Sequence, residues 1–221
     1  MNARSIVRLT LVAGFLLAAL GAPLGLLSPS VAGPDDWETK WNRLQPADAV
    51  MDTVGIQPGM VVAEIGAGKG RYAVQVAARV GSKGKVYAED IDVMALEYLK
   101  MRCARDTVSN IETILGGVTN PKLPAASCDF VYCINTYHHI EEPVPLLRNI
   151  APALKPTGRL VIIEHLPEKV EKEGSEGEST PADSVLTHAR EAGYDFVERH
   201  SFLELDEIYV FRVAKQEKSV E

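Results

Sequence analysis

The sequence predicts an α/β protein built on a doubly wound, mostly parallel sheet of seven strands, closed at one edge by an antiparallel hairpin. Three observations carry this. Apolar runs of strand length alternate with helical stretches from Val61 to Ala192, the pattern of a parallel sheet covered on both faces. A strand, a glycine cluster, a helix, a second strand and an acid follow one another between Val61 and Asp90. The last two apolar runs, Tyr194 to Ser201 and Ile208 to Ala214, are joined through Glu204 to Glu207 as a hairpin. A chain of 221 residues, 46% of them hydrophobic, can bury one full domain plus appendages. The predicted division is 1–32 as leader, 33–60 as a helical lead-in, 61–215 as the domain and 216–221 as a frayed tail.

The leader has Arg4 and Arg8, an apolar run from Leu9 to Leu20, helix breakers at Gly21, Pro23 and Gly25, and small residues Ser30, Val31 and Ala32 before Gly33. That layout predicts a cleaved signal peptide, hence an exported (periplasmic or secreted) protein. Its rival is an uncleaved membrane anchor, since Leu9 to Leu27 approaches the length of a bilayer span.

In the lead-in, Trp37 and Trp41 are four residues apart and share one helix face. They pack this helix onto the domain or cover a ligand cleft. Pro46 opens a short helix stopped by Gly55, and Gln57-Pro58-Gly59 turns the chain into the first strand at Val61. A helix from Tyr72 to Val80 and a strand from Lys85 to Ala88 follow. Asp92 to Ala104 is an amphipathic helix and Asn110 to Leu115 a third strand. Asp129 to Asn135 is a continuous apolar run suited to a central strand. Glu141 to Leu154 is helical with a kink or early end at Pro152; Pro156-Thr157-Gly158 turns into a fifth strand, Arg159 to Glu164. Leu166 to Pro181 is charged and Gly/Ser-rich, a mobile loop acting as a lid or as a solvated insertion, before a helix from Pro181 to Ala192.

Charge and cysteine content narrow the function. The net charge is −7, and falls to −9 once Arg4 and Arg8 leave with the leader, so the body repels phosphate backbones and nucleic acid is not an expected partner. Cys103, Cys128 and Cys133 form no metal-ligand spacing and no disulfide framework, and no metal is expected. By strand alternation Cys128 and Cys133 point to opposite faces, whereas a Cys103–Cys128 pair stays open beside the reading of all three as buried free thiols.

The candidate site is the glycine cluster Glu64-Ile65-Gly66-Ala67-Gly68-Lys69-Gly70. Its glycines permit positive φ and close backbone approach, and the helix start that follows favours an anionic group. Asp90 closes the second strand twenty residues after Gly70, where its carboxylate can accept both hydroxyls of a ribose; Glu89 faces the other way. A dinucleotide fingerprint places glycine where this chain has Arg71, which disfavours a nicotinamide dehydrogenase.

With these residues in place the chain resembles the class I S-adenosylmethionine-dependent methyltransferases, in particular the small type 11 domains, over roughly Pro46 to Val213. Glu64 to Gly70 is similar to the first motif of that family and Val86 to Ile91 to its second-strand acid motif. Leu123 to Val131 with Asn135 to Ile140 resembles the fourth-strand region, and Leu154 to Leu160 the turn into the fifth strand. The resemblance implies a Rossmann-like sheet and S-adenosylmethionine as cofactor. It implies cofactor contacts from Glu64, Gly66, Ala67, Gly68, Gly70, Asp90 and Ile91, with Asn135 beside the methyl-donor cleft. It also departs from the family at Gly117, where an acid that reads the adenine amino group is often found, and at Lys69, which either pairs with a cofactor carboxylate or is solvated. A base is needed only for a protonated nucleophile; His138 and His139, after the fourth strand, are the candidates, and the alternative is a turn that caps the strand. His165, His188 and His200 are expected to be surface or structural.

The expected activity is methyl transfer to a small-molecule or lipid-like acceptor, with membrane proximity through the leader. The alternative is an exported cofactor-binding module without turnover.

Overall fold

The computed structural model describes residues 36–172 and 178–215. The expected leader, 1–32, and the tail, 216–221, lie outside them, as does the centre of the predicted lid. Among the described residues no helix is long and apolar enough to cross a membrane.

Seven strands form one sheet: β1 (Val61–Ile65), β2 (Lys85–Asp90), β3 (Ile111–Leu115), β4 (Cys128–Ile134), β5 (Leu154–His165), β6 (Tyr194–His200) and β7 (Asp206–Val213), in the spatial order β3-β2-β1-β4-β5-β7-β6. The first five are parallel. β7 runs antiparallel between β5 and β6. The helices are α1 (Asp36–Leu44), α2 (Ala47–Val54), α3 (Ala73–Val80), α4 (Val93–Asp106), α5 (Pro143–Ile150), α6 (Pro167–Lys172) and α7 (Ala182–Glu191).

Strand alternation sends Val62, Phe130, Tyr132 and Ile134 to one face, where they meet Val50, Met51, Val76, Ala77 and Leu99 of α2, α3 and α4. Ala63, Val131, Cys133, Leu160 and Ile162 face the other way, onto Leu146, Leu147 and Ile150 of α5 and Val185 and Ala189 of α7. Each such aliphatic side chain removed from water contributes about 1.5–3 kcal/mol before entropy is counted. The order reverses between β1 and β4, and the crevice outside the carboxyl ends of those two strands is where an open α/β sheet holds its ligand.

Several expectations are corrected. The Pro156-Thr157-Gly158 turn is absorbed into β5: pairing jumps from Cys128↔Leu154 to Phe130↔Arg159, so the three residues form an irregularity inside the strand. That irregularity resets the side-chain alternation, and Cys128 and Cys133 therefore share one core layer instead of opposing it. Cys103 packs on the opposite face of the sheet, all three thiols are free, and the Cys103–Cys128 pair does not form. The fifth helix ends at Ile150, and Pro152 sits in a single 3₁₀ turn, Ala151–Ala153, as its missing N–H requires. The segment expected as a mobile loop from Leu166 begins as helix α6, fixed by Lys169, whose Nζ donates to the carbonyls of Leu203 and Asp206.

Candidate active site

β1 ends in Glu64 and Ile65 and delivers the glycine loop 66–70 into the crevice. Gly66 has φ 71°, and a Cβ there would lie 2.2 Å from Thr136 Cγ2 in the turn after β4. Gly70 has φ 79°, and a Cβ would lie 2.3 Å from Leu99 Cδ1 of α4. Both glycines are thus fixed by close approach of the flanking elements, which is what draws the loop tight across the strand end. Asp90, at the end of β2, braces that loop. Its Oδ2 accepts the Gly68 N–H at 2.7 Å and its Oδ1 accepts the Asp92 N–H at 2.8 Å. Ala67 N–H donates to the Glu89 carbonyl at 2.9 Å.

Two cavities meet at Gly66 and Thr136. The first, about 350 Å³, is lined by Trp37, Glu64, Gly68, Arg71, Tyr98 and Asn135. The second, about 410 Å³, is lined by Glu89, Asp90, Ile91, Gly117, Val118 and His139. Together they make one cleft through these shared residues, with Glu64 and Arg71 at its charged end and Asp90 and Ile91 at the other.

In the charged end Glu64 is buried and accepts the Tyr132 hydroxyl at 2.9 Å. Burial pushes its carboxyl up to about 8, against the downward pull of the Tyr132 hydrogen bond and the Arg71 charge. Arg71 is buried as well, which lowers its pKa, partly offset by Glu64. Its guanidinium lies between the rings of Trp37 (5.8 Å) and Tyr72 (5.4 Å), and Nη2 donates to Gln45 Oε1 at 2.7 Å. Gln45 is fully buried and bonds Asn135 in both directions, at 2.6 and 3.1 Å, and Asp206 Oδ2 at 3.0 Å. Asn135 itself stands at φ 51°, a conformation Asn tolerates better than most residues, and this turns its side chain toward Gln45. Lys69 is exposed, with Nζ over the Tyr98 ring at 5.3 Å.

Helix α1 closes this end. Glu38 takes a bidentate contact from Arg102 of α4, at 2.6 and 3.1 Å. The two tryptophans divide the roles foreseen for them: Trp41 stacks on His165 at 5.1 Å, and Trp37 lines the cleft.

At the other end Glu89 does not stay apart from Asp90 as strand alternation suggested. Its side chain lies over Gly116, where a Cβ would sit 1.6 Å from Oε1, and it lines the same cavity as Asp90. Burial and the adjacent Asp90 push its carboxyl up to about 8. Gly117 contributes only backbone, bridged to Asn120.

The two candidate histidines part company. His138 is nearly buried, its Nδ1 2.7 Å from Oε1 of Glu164, which is wholly buried and also accepts the His138 and His165 backbone N–H groups. His139 is exposed on the cavity rim, with Nδ1 2.8 Å from Glu178 Oε2. Among the described residues His138, His139 and Glu178 are the one trio whose ligand atoms approach within 4.8 Å. Two of the three are solvated and already paired, so we assign no ion to them.

His165 was expected to be surface or structural. It is buried, and its Nδ1 lies 2.6 Å from Oδ1 of the fully buried Asp206. Sequence reasoning missed Glu89 and Arg71 in the cavity lining, and the buried polar residues Gln45, Glu164, His165 and Asp206, which line neither cavity. A usable signal existed for three of them: Glu89, Glu164 and His165 are polar residues ending buried strands at the ligand-binding edge, as Glu64 and Asp90 are.

Residues 63–162 match the family model described as "Methyltransferase domain". The chain is 35% identical over 106 residues to a mitochondrial ubiquinone biosynthesis O-methyltransferase of Schizosaccharomyces pombe, covering 47% of this chain and 37% of that one. It is 28% identical over 111 residues to the ubiquinone/menaquinone biosynthesis C-methyltransferase UbiE of Francisella philomiragia, covering 50% and 44% respectively. The chain thus spans less than half the length of these relatives. Among solved structures, a SAM-dependent methyltransferase from Aquifex aeolicus superposes with a TM-score of 0.72 at 24% identity, over 82% of this chain and 100% of that one.

Proposed function

We propose that this chain, whose residues 63–162 make it a class I S-adenosylmethionine-dependent methyltransferase, methylates a small ring-bearing acceptor of the quinone or hydroquinone type. The observation that carries the cofactor half of this reading is the clasp of the glycine loop by Asp90, with Glu64 and Arg71 facing the charged end of the same cleft.

The residues fit that cofactor. Its methionine end carries an ammonium and a carboxylate, and Glu64 and Arg71 offer a partner for each. A carboxylate has about four acceptor sites, so Asp90, with two used by backbone N–H groups, keeps room for two ribose hydroxyls. The adenine-reading acid absent at Gly117 has a substitute in Glu89, whose carboxyl is neutral up to about pH 8 and so can both donate to and accept from a base edge. When bound, S-adenosylmethionine supplies a sulfonium-activated methyl group. The chain's task is to hold an acceptor in line with it and to exclude water, with Trp37 and α1 forming the cover. Where the acceptor carries a proton, His138 on its buried carboxylate is better placed to take it than His139, which lies on the cofactor side of the turn.

The quinone class comes from the two relatives named above, one acting on oxygen and the other on carbon. Export or anchoring by residues 1–32 belongs to the same proposal and is checked by mass spectrometry of the mature N-terminus. The activity is tested by incubating the full chain with methyl-labelled S-adenosylmethionine and fractionated cell extract. Label entering a quinone-rich lipid or small-molecule fraction supports the reading. Label entering only protein or nucleic acid overturns it.

A further inference from the structure

Beyond the cleft, two imidazoles share a construction that packing alone does not call for. His138 and His165 each place Nδ1 within 2.7 Å of a carboxylate with no solvent exposure, Glu164 and Asp206. Buried charge is expensive, and apolar groups of similar volume would serve the fold at least as well. Both pairs stand at the carboxyl-end edge of β4 and β5, the edge that carries the cofactor cleft. The rings are nearly parallel, 15° apart with centroids at 5.9 Å, and Trp41 of α1 closes the outer face of His165 at 5.1 Å and 21°. Glu164 on Nδ1 of His138 fixes that tautomer and leaves Nε2 for chemistry, whereas His165 Nδ1 and Asp206 Oδ1 meet at 2.6 Å as a buried ion-pair contact without hydrogen-bond geometry. Among the described residues neither Nε2 has a hydrogen-bond partner, and neither is a buried polar atom left unpaired. Gln45 links Asp206 directly to Asn135, so the same hydrogen-bonded web reaches the cofactor cleft.

We propose that His138–Glu164 and His165–Asp206 form the acid–base site for the acceptor, and that the acceptor is accordingly a hydroxyl compound methylated on oxygen. This rests on the methyltransferase reading above and narrows it. A protonated hydroxyl is a weak nucleophile and gains most from a base in the transfer step, whereas an amine attacks through its free pair and sheds its proton afterwards. As the acceptor oxygen bonds the methyl carbon, its O–H proton passes to Nε2 of His138. The donor C–S bond breaks with its electron pair left on sulfur, and the proton later leaves His138 for water. His165 holds the acceptor oxygen. Burial would lower the His165 pKa, but the Asp206 carboxylate beside it, with Glu164, outweighs that and raises it, which suits a ring that donates from Nε2 to the second lone pair of the acceptor oxygen. The titratable groups around His138 are Glu164 and His165 on β5, Asp206 on β7 behind His165, His139 on its own turn and Glu178 beyond it. Glu164 and Asp206 are positioning residues.

The test incubates the full chain with carbon-13 methyl-labelled S-adenosylmethionine and a small-molecule extract of its source cells, and reads the product methyl by NMR. An oxygen-bound methyl is expected. In parallel, His138→Gln and His165→Gln are expected to bind the cofactor within about three-fold of the parent while kcat falls about 10²–10³-fold. Both variants are expected to keep the parent's thermal melt, so that kcat falls at unchanged stability and cofactor affinity, which a purely structural role would not produce. A methyl on carbon or nitrogen, no methylated product from protein that binds cofactor, or variants with parental kcat would overturn the inference. Failure of the parent to bind cofactor would instead overturn the methyltransferase reading beneath it. The product measurement uses only the parent protein, so it stands even if a variant does not fold.

Discussion

Replacing Glu64 by Gln should stabilise the unliganded protein while weakening its hold on the cofactor. The Glu64 carboxyl has an ordinary value of 4.5 and is raised to about 8 in the fold, chiefly by burial. The folded state therefore keeps a proton that the unfolded chain releases, so stability is fully present below about pH 4.5 and falls as pH rises toward 8. At about 1.4 kcal/mol per pH unit, the loss approaches ~5 kcal/mol at the alkaline end, less whatever relaxation the site allows. Gln cannot ionise and can still accept the Tyr132 hydroxyl, so the variant escapes this loss. Urea unfolding of parent and Glu64→Gln near pH 5 and near pH 8.5 should show a stability difference close to zero in acid and roughly 3–5 kcal/mol in favour of the variant in alkali. Glu89 titrates over the same range but is common to both proteins and cancels. Calorimetry at the alkaline pH should show the reverse ordering for S-adenosylmethionine, because the cofactor ammonium loses its carboxylate partner. A stability difference independent of pH would refute the reasoning, since it would mean that Glu64 is ionised in the fold.

Other consequences are open to simpler assays. Gly66→Ala sets a Cβ against Thr136 at a positive φ and should lower stability by about 1–3 kcal/mol in thermal melts, with Thr136→Ser recovering little because Oγ1 is also too close, at 2.6 Å. Gln45→Ala strands Arg71, Asn135 and Asp206 at once and should cost about 2–4 kcal/mol by denaturant unfolding. Glu89→Ala should reduce affinity for S-adenosylhomocysteine about ten-fold by calorimetry, with Glu89→Gln closer to the parent because an amide keeps both donor and acceptor.

The glycine loop and its bracing by Asp90 were readable because they are local. Gly66, Gly68, Gly70 and Asp90 lie within one βαβ unit, and the tight loop they form is dictated by backbone conformation and strand ends. The buried polar cluster proposed for the acceptor was not, because its members meet only through tertiary structure. Gln45 comes from the bend after α1, Glu164 and His165 from β5, and Asp206 from an antiparallel strand more than forty residues later. The position of Glu164 at the end of a buried strand marks it as a residue of the ligand-binding edge, but nothing in the apolar run before it shows that its partner is a histidine. Periodicity failed at Cys128 for a related reason: an irregularity set by the pairing of β4 with β5 resets alternation, and that pairing is not a property of either segment alone. Glu89 misled in the same way, since alternation fixes where its Cβ starts and Gly116 decides where its carboxyl ends.

The central claim is that the cleft between the glycine loop and the end of β2 is an S-adenosylmethionine site clasped by Asp90. Calorimetric titration of S-adenosylhomocysteine into the full chain and into Asp90→Ala tests it most directly. The account requires one site per chain in the parent and an affinity weaker by about ten-fold or more in the variant, from the loss of charge-assisted bonds to the ribose. A folded parent that binds nothing, or a variant that binds as tightly as the parent, would contradict it.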